Sequence, residues 1–200
     1  MSPVKKLAIC IVSGICFLQP IIMSQPVMAQ QSLTCQVPRT KTQISETEML
    51  RVLKSSYVEL YHKEPTKNVL AMAWAQTALE TGHGTLMFNK NFGNTGPRKQ
   101  DIKYEYFLTS GGGKYVSFPT FKDGATAYWM VARHCYAAWQ AFKIGDPEEA
   151  AHAFKRCNYY NPNVEDSYVK NMRHLYWHAI KTVMPKDENE RRQETSKNSD

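Results

Sequence analysis

A mainly α domain (α+β) with one small β-hairpin lobe is what this 200-residue sequence predicts. Apolar residues recur at helical spacing in several segments, each bounded by capping residues or by Gly and Pro. One stretch, residues 102–118, alternates instead and is rich in Tyr and Phe around three successive glycines, the pattern of a hairpin. The length suits a single domain with a core of its own.

Met1 to Ala29 reads as a secretory signal. Lys5 and Lys6 supply the charged start, Leu7 to Phe17 the apolar region and Val27-Met-Ala29 the small-residue cleavage site. The apolar run is too short for a membrane anchor and is broken by Gln19 and Pro20. Residues 30–44 are polar, contain Pro38 and suit an extended leader. Residues 45–184 carry the domain. Ser45-Glu-Thr-Glu48 is a capping box that opens a helix with Met49, Val52, Leu53, Tyr57 and Leu60 on one face. Glu64-Pro65 ends it, and Pro65 suits the first turn of the next helix, which runs to Glu80 and stops at Gly82 and Gly84. Thr85 to Asp101 is a loop in which Asn94 and Gly96 read as turn formers. In the hairpin, Ile102, Tyr104, Tyr106 and Leu108 share one face, and Lys103, Glu105 and Phe107 the other. Its glycines suggest a mobile lip. Asp123 caps a helix that Gly145 closes, Asp146-Pro-Glu-Glu149 opens another that ends near Cys157, and a last helix covers Glu165 to Val183. The stretch 185–200 is charged, lacks aromatics and is expected to be disordered.

Cys10 and Cys16 leave with the signal. In an exported chain Cys135 and Cys157 are the most natural disulfide pair, with Cys35 left over and no catalytic thiol. The formal charge of +7 falls to +5 without Lys5 and Lys6, and residues 30–184 carry +6. Such a field suits an anionic polymer or surface. No Lys/Arg block or nucleic-acid motif is present, so nucleic acid is not an expected partner. His174 and His178 have metal-ligand spacing, but Leu175 stands where a zinc hydrolase has Glu. No phosphate loop, dinucleotide fingerprint or Ser elbow appears. Neither a metal nor a cofactor is expected.

The helix from Leu70 to Glu80 is apolar nearly all round, which marks it as buried. One stripe departs from this: Ala73, Gln76, Thr77 and Glu80. Glu80 therefore sits in the last turn of a buried helix, where the dipole is already negative. Burial and dipole both disfavour its ionised form and raise its pKa. A carboxyl kept protonated near neutral pH is a general acid.

The run Gln76-Thr-Ala-Leu-Glu80-Thr-Gly-His-Gly84, followed by Asn89-Lys-Asn-Phe-Gly93-Asn94, resembles the signature of the bacterial glucosaminidase family. That family includes flagellar muramidase-type and endo-β-N-acetylglucosaminidase enzymes of the lysozyme-like superfamily. The resemblance continues through Tyr115 to Gly124 and Tyr159-Tyr-Asn-Pro-Asn163, and spans about Thr47 to Ile180. His83 departs from the family's Trp or Tyr, and Asn94 from its Ile or Val. The resemblance implies a lysozyme-like helical domain with Glu80 as acid. It also implies a second acid on the hairpin at Glu105, and a tyrosine across the cleft, Tyr159 or Tyr160. Gln76, His83, Asn91, Phe92 and Tyr104 are the expected substrate contacts. The function so implied is an exported hydrolase, periplasmic or secreted, that cuts β-1,4 bonds between GlcNAc and MurNAc in peptidoglycan. Glycan strands would be its partner, and it would be a monomer without stable membrane insertion. A wall-binding or assembly module that does not turn over substrate, and a chitinase-type hydrolase, are the alternatives.

Overall fold

The computed structural model describes residues 35–97, 104–160 and 162–197. The signal segment at 1–29, the start of the leader, Ile102, Lys103 and residues 198–200 lie outside them. The chain is mainly helical with one two-stranded antiparallel sheet. Its helices are α1 (Glu46–Tyr61), α2 (Lys67–Thr81), α3 (Phe121–His134), α4 (Tyr136–Ile144), α5 (Pro147–Arg156), α6 (Glu165–His178) and α7 (Met184–Lys197). Strands β1 (Glu105–Leu108) and β2 (Lys114–Ser117) lie between α2 and α3. Among the described residues no helix is long and apolar enough to cross a membrane.

Helix α2 is the centre. Val69 to Ala78 are all buried, as its composition requires, and α1, α4 and α6 pack around it. Trp74, Trp129, Tyr128, Phe142 and Phe154 fill the spaces between helices. The two most buried indoles each find a backbone acceptor: Trp74 Nε1 donates to Glu46 O at 3.1 Å and Trp129 Nε1 to Leu53 O at 2.9 Å. α1 opens as its capping box predicts, with Ser45 Oγ accepting from Glu48 N at 3.2 Å.

Several boundaries differ from the sequence reading. Thr66, not Pro65, starts α2: its side chain accepts from Val69 N, and Pro65 stands before the cap. Thr120, not Asp123, caps α3; Asp123 N donates to the Thr120 hydroxyl, which in turn donates to the Asp123 carboxylate at 2.5 Å. The helix expected to run on to Gly145 breaks at Cys135. This residue has φ −83° and ψ 88°, outside the helical region, and separates α3 from α4. Cys135 is bonded to Cys157, which ties that break to the end of α5.

The expected disordered tail is instead helical to Lys197. The chain leaves α6 through a π-helical turn, Ala179–Val183, and Pro185 follows directly. A proline ring clashes with the carbonyl four residues earlier, here Lys181, and the π turn is where the ladder is already rearranged. Charge holds α7 in place. Asp187 is buried between Arg51 of α1, at 2.5 Å, and Arg191, and Arg51 also meets Glu190 at 3.1 Å. Composition shows the charges but not the arginine from another helix that matches them.

The leader is likewise part of the domain. Gln36 bridges to Tyr106 and Lys41 to Phe88, and Thr40 N donates to Asn89 Oδ1 at 2.7 Å.

The loop after α2 meets α3 at Gly124, where an added Cβ would stand 1.9 Å from Lys90 O. Gly124→Ala is expected to lower stability in urea unfolding by about 3 kcal/mol. Gly111→Ala, at a hairpin tip with nothing within 4 Å, should stay within about 0.5 kcal/mol of the parent.

Candidate active site

Glu80 is the penultimate residue of α2. The chain turns sharply beyond it, with Gly82 in the left-handed region at φ 53° and its N–H on Ala78 O. Thr81 fastens the turn, donating to Thr77 O at 2.7 Å and accepting from Gly84 N at 3.1 Å. An orphan helix-end carbonyl, Glu80 O, accepts from Asn94 Nδ2 at 2.7 Å. The same amide lies 3.4 Å from Glu80 Oε2, and the Tyr168 hydroxyl of α6 lies 3.4 Å from Oε1.

The carboxyl opens into a groove of about 400 Å³. Glu80 and Asn94 line it together with Phe107, Thr109 and Tyr115 of the hairpin and with Arg39, Leu86 and Phe88. Arg39 lies flat over Phe88, 3.7 Å from the ring centre. Glu80 is the only carboxylate among the described residues that line this groove. A larger cavity of about 640 Å³ lies between α1 and α7, and several of its charged groups pair with one another, as Arg51 with Asp187 and Lys54 with Glu64.

Burial pushes the Glu80 pKa up to about 7, while the hydrogen bonds from Asn94 and Tyr168 pull the other way. Beneath it lie the hydroxyls of Tyr128, Tyr159 and Tyr168. Burial raises the pKa of each well above its ordinary value, and a charge on Glu80 adds to the shift. Among the described residues the hydrogen-bond partners of Glu80 are thus neutral donors.

The residues expected from sequence divide. Gln76 is buried one turn before Glu80 and accepts from the Tyr128 hydroxyl at 2.7 Å, so it supports the site from below and does not face the groove. Tyr159 also lies below, donating to Gly93 O at 2.8 Å. Tyr160 does not reach the groove; it donates to Ala151 O at 3.0 Å and stacks on Tyr168 at 3.9 Å. Asn91 is buried with its amide fully engaged: Nδ2 donates to Thr95 O and Val116 O, and Oδ1 accepts from Thr95 N. It fastens the loop to β2 and has no group left for a sugar. Phe92 is core, edge-on to Phe121. Tyr104 packs on Phe118 and donates to Asp123 at 3.5 Å, behind the hairpin. His83 turns to Glu46 at 2.7 Å instead of to the groove. Glu105 is exposed at the start of β1, opposite Ser117. By alternation it shares a strand face with Phe107, beyond the groove's lining residues.

Sequence reasoning missed Arg39, Asn94, Phe107, Tyr115 and Tyr168. Tyr168 was legible as an inward residue, and its hydroxyl needed a partner. Asn94 was read as turn chemistry, and its φ of 48° bears that out, but its side chain also meets Glu80.

The raised Glu80 pKa carries a stability signature. Below about 4.5, its ordinary value, the group is protonated in both folded and unfolded chains. Between there and about 7 only the folded chain holds the proton, so this group's contribution falls as pH rises, then levels off. Glu80→Gln should therefore stabilise the fold at pH 8 by about 2 kcal/mol after allowance for solvent at the groove mouth, and leave it nearly unchanged at pH 4. Tyr168→Phe, which removes a donor, should move the Glu80 titration higher still in carboxyl NMR. No family model matches the chain, and no curated protein or solved structure matches it either.

Proposed function

We propose that this protein cleaves β-1,4 glycosidic bonds between GlcNAc and MurNAc in peptidoglycan, with Glu80 as general acid. The observation that carries the reading is a single carboxyl, pKa about 7, opening into an aromatic groove. A protonated carboxyl donates to the glycosidic oxygen as the C–O bond breaks, and the charge that develops on the sugar is oxocarbenium-like. Phe88 and Tyr115, both half-buried, offer ring surface on which pyranose rings stack, with Phe107 buried behind them, and Asn94 and Thr109 offer polar partners for hydroxyl or acetamido groups. The lysozyme-like resemblance at Gln76–Gly84 agrees with this assignment and adds export to the cell wall.

The second group is Glu105. It stands at the base of the strand that supplies Phe107, whose other end leads to a glycine tip with open space around Gly111 and Gly112. Closure of the hairpin on a glycan brings Glu105 toward the bond, where its carboxylate takes a proton from the attacking water. With the hairpin as it stands, the described residues give the groove one carboxylate, and that state suits a different attack. The C6 hydroxyl of the muramic acid adds to its own C1 and returns its proton to Glu80, giving an anhydro sugar without water.

Arg39 bears on the choice of polymer. Among the described residues no carboxylate pairs with it, and its guanidinium faces the groove from Phe88. Peptidoglycan carries carboxylates on its lactyl-peptide stems, whereas chitin is neutral.

Glu80→Gln should lower the rate of wall clearing on the order of 1,000-fold while pull-down on insoluble peptidoglycan stays intact. Clearing at the parent rate by this variant would remove the hydrolase reading, and an inactive parent that still binds walls would leave the binding module. Glu105→Gln should lose activity on the order of 100-fold, with hydrated reducing ends in the parent's products by mass spectrometry. Full activity with anhydro ends would assign the attack to the muramic hydroxyl. Arg39→Ala should raise KM for peptidoglycan about tenfold and leave cleavage of chitin oligomers unchanged.

A further inference from the structure

Away from the groove, three side chains from three elements converge on one point: Glu46 at the start of α1, His83 in the turn after α2 and His178 at the end of α6. His83 Nδ1 lies 2.7 Å from Glu46 Oε1, and His178 Nε2 lies 3.4 Å from Glu46 Oε2. One ligand atom from each falls within 4.8 Å of the others. We propose that Glu46, His83 and His178 bind a divalent transition metal of the zinc class, through two imidazole nitrogens and one carboxylate oxygen.

The donor set has the chemistry. Two neutral imidazoles and a carboxylate suit zinc and its neighbours and do not suit magnesium or calcium, which take oxygen ligands. Ligand atoms around a tetrahedral zinc stand about 3.3 Å apart, given bonds of about 2.0–2.1 Å. The separations of 2.7 Å and 3.4 Å from Glu46, and the 4.8 Å limit across the set, bracket this spacing. His83 is exposed, so the fourth position faces solvent and takes water.

The surroundings hold the ligands in place. Trp74 forms an apolar floor with its ring 5.9 Å from His83 and 5.6 Å from His178, and its Nε1 donates to the backbone carbonyl of Glu46. His83 has φ 56°, a left-handed conformation uncommon for a residue with a side chain, and this aims its ring back across α2 toward α1. The contrast with the other Glu–His pair is informative. Glu165 meets His152 at 2.8 Å, and Lys155 takes its second oxygen. That carboxylate is neutralised by an ammonium. At Glu46 a second imidazole stands in the corresponding place.

Zinc titrated into the purified protein, carrying Cys35→Ser to remove the exposed thiol, tests the site by calorimetry. One zinc per chain is expected, with a matching rise in melting temperature, because a metal that binds only the folded chain stabilises it. His178→Gln and His83→Asn should each weaken binding at least about tenfold, and His152→Ala should not. Asn tolerates the left-handed backbone at 83, and circular dichroism confirms that each variant is folded. Cobalt substitution gives a readout on the parent site alone, since a tetrahedral site yields visible absorption bands that six-coordinate cobalt lacks. Absence of stoichiometric binding would overturn the proposal. So would binding that survives both the His83 and His178 substitutions.

Discussion

A helix buried on every side leaves its polar groups no water, and each must find its partner on another element. α2 is such a helix, and much of the architecture answers that need. The Trp74 indole reaches the first carbonyl of α1, Gln76 takes the hydroxyl of Tyr128 on α3, and Thr81 bends back to its own helix at Thr77. Among the described residues the solution is incomplete at Gln76 Nε2 and Thr77 Oγ1, which are buried without a hydrogen-bond partner, and at Glu80. Its two neighbouring donors, Asn94 and Tyr168, are neutral and stand at 3.4 Å, longer than a strong charge-assisted bond. They orient the carboxyl and offset part of the cost of burying a charge on it, and burial outweighs them, so the pKa stands at about 7.

The groove above Glu80 is assembled by residues that never touch it. Asn89 takes Thr40 N and gives its amide to Pro38 O and Ser117 Oγ, so one side chain joins leader, loop and β2. Asn91 does the same between the loop and Val116. Gly124 lets α3 press directly on the backbone at Lys90. The segments that bear Phe88 and Tyr115 are fastened from behind by this polar stitching, while the hairpin tip at Gly111 and Gly112 has open space around it.

The parts of this plan that sequence made legible are those governed by local rules. Capping at Ser45, the stop at Gly82, the Asp146-Pro147 start of α5 and the all-apolar character of α2 follow from propensity and periodicity alone, and so does the hairpin at 104–117. The raised pKa of Glu80 was legible too, because it needs only burial and the end of a helix. What escaped depends on long-range pairing. Asn91 and Phe92 sit in a motif that invites a binding role, yet one is spent on backbone groups and the other on the core. α7 looks unfoldable by composition, since its partner Arg51 lies 136 residues away from Asp187. Arg39 belongs to a polar leader with no periodicity, and only docking on Phe88 brings it to the groove.

The leader is ordered by polar contacts. Among its described residues it buries one apolar side chain, Ile44, which gives it little hydrophobic reason to be ordered. It is held by backbone pairing at Gln36 and Lys41, by the Asn89 clasp and by the guanidinium of Arg39 on Phe88. Each is modest alone, and together they place a cation in the same groove as Glu80 without an ion pair between the two. The separation matters physically. A guanidinium in contact with the carboxylate would lower its pKa and take away the acid, whereas one spaced along the groove leaves Glu80 protonated and still offers charge to an anionic strand. The leader thus adds to the groove lining, at Arg39, a cation held on Phe88 that the helical core does not supply.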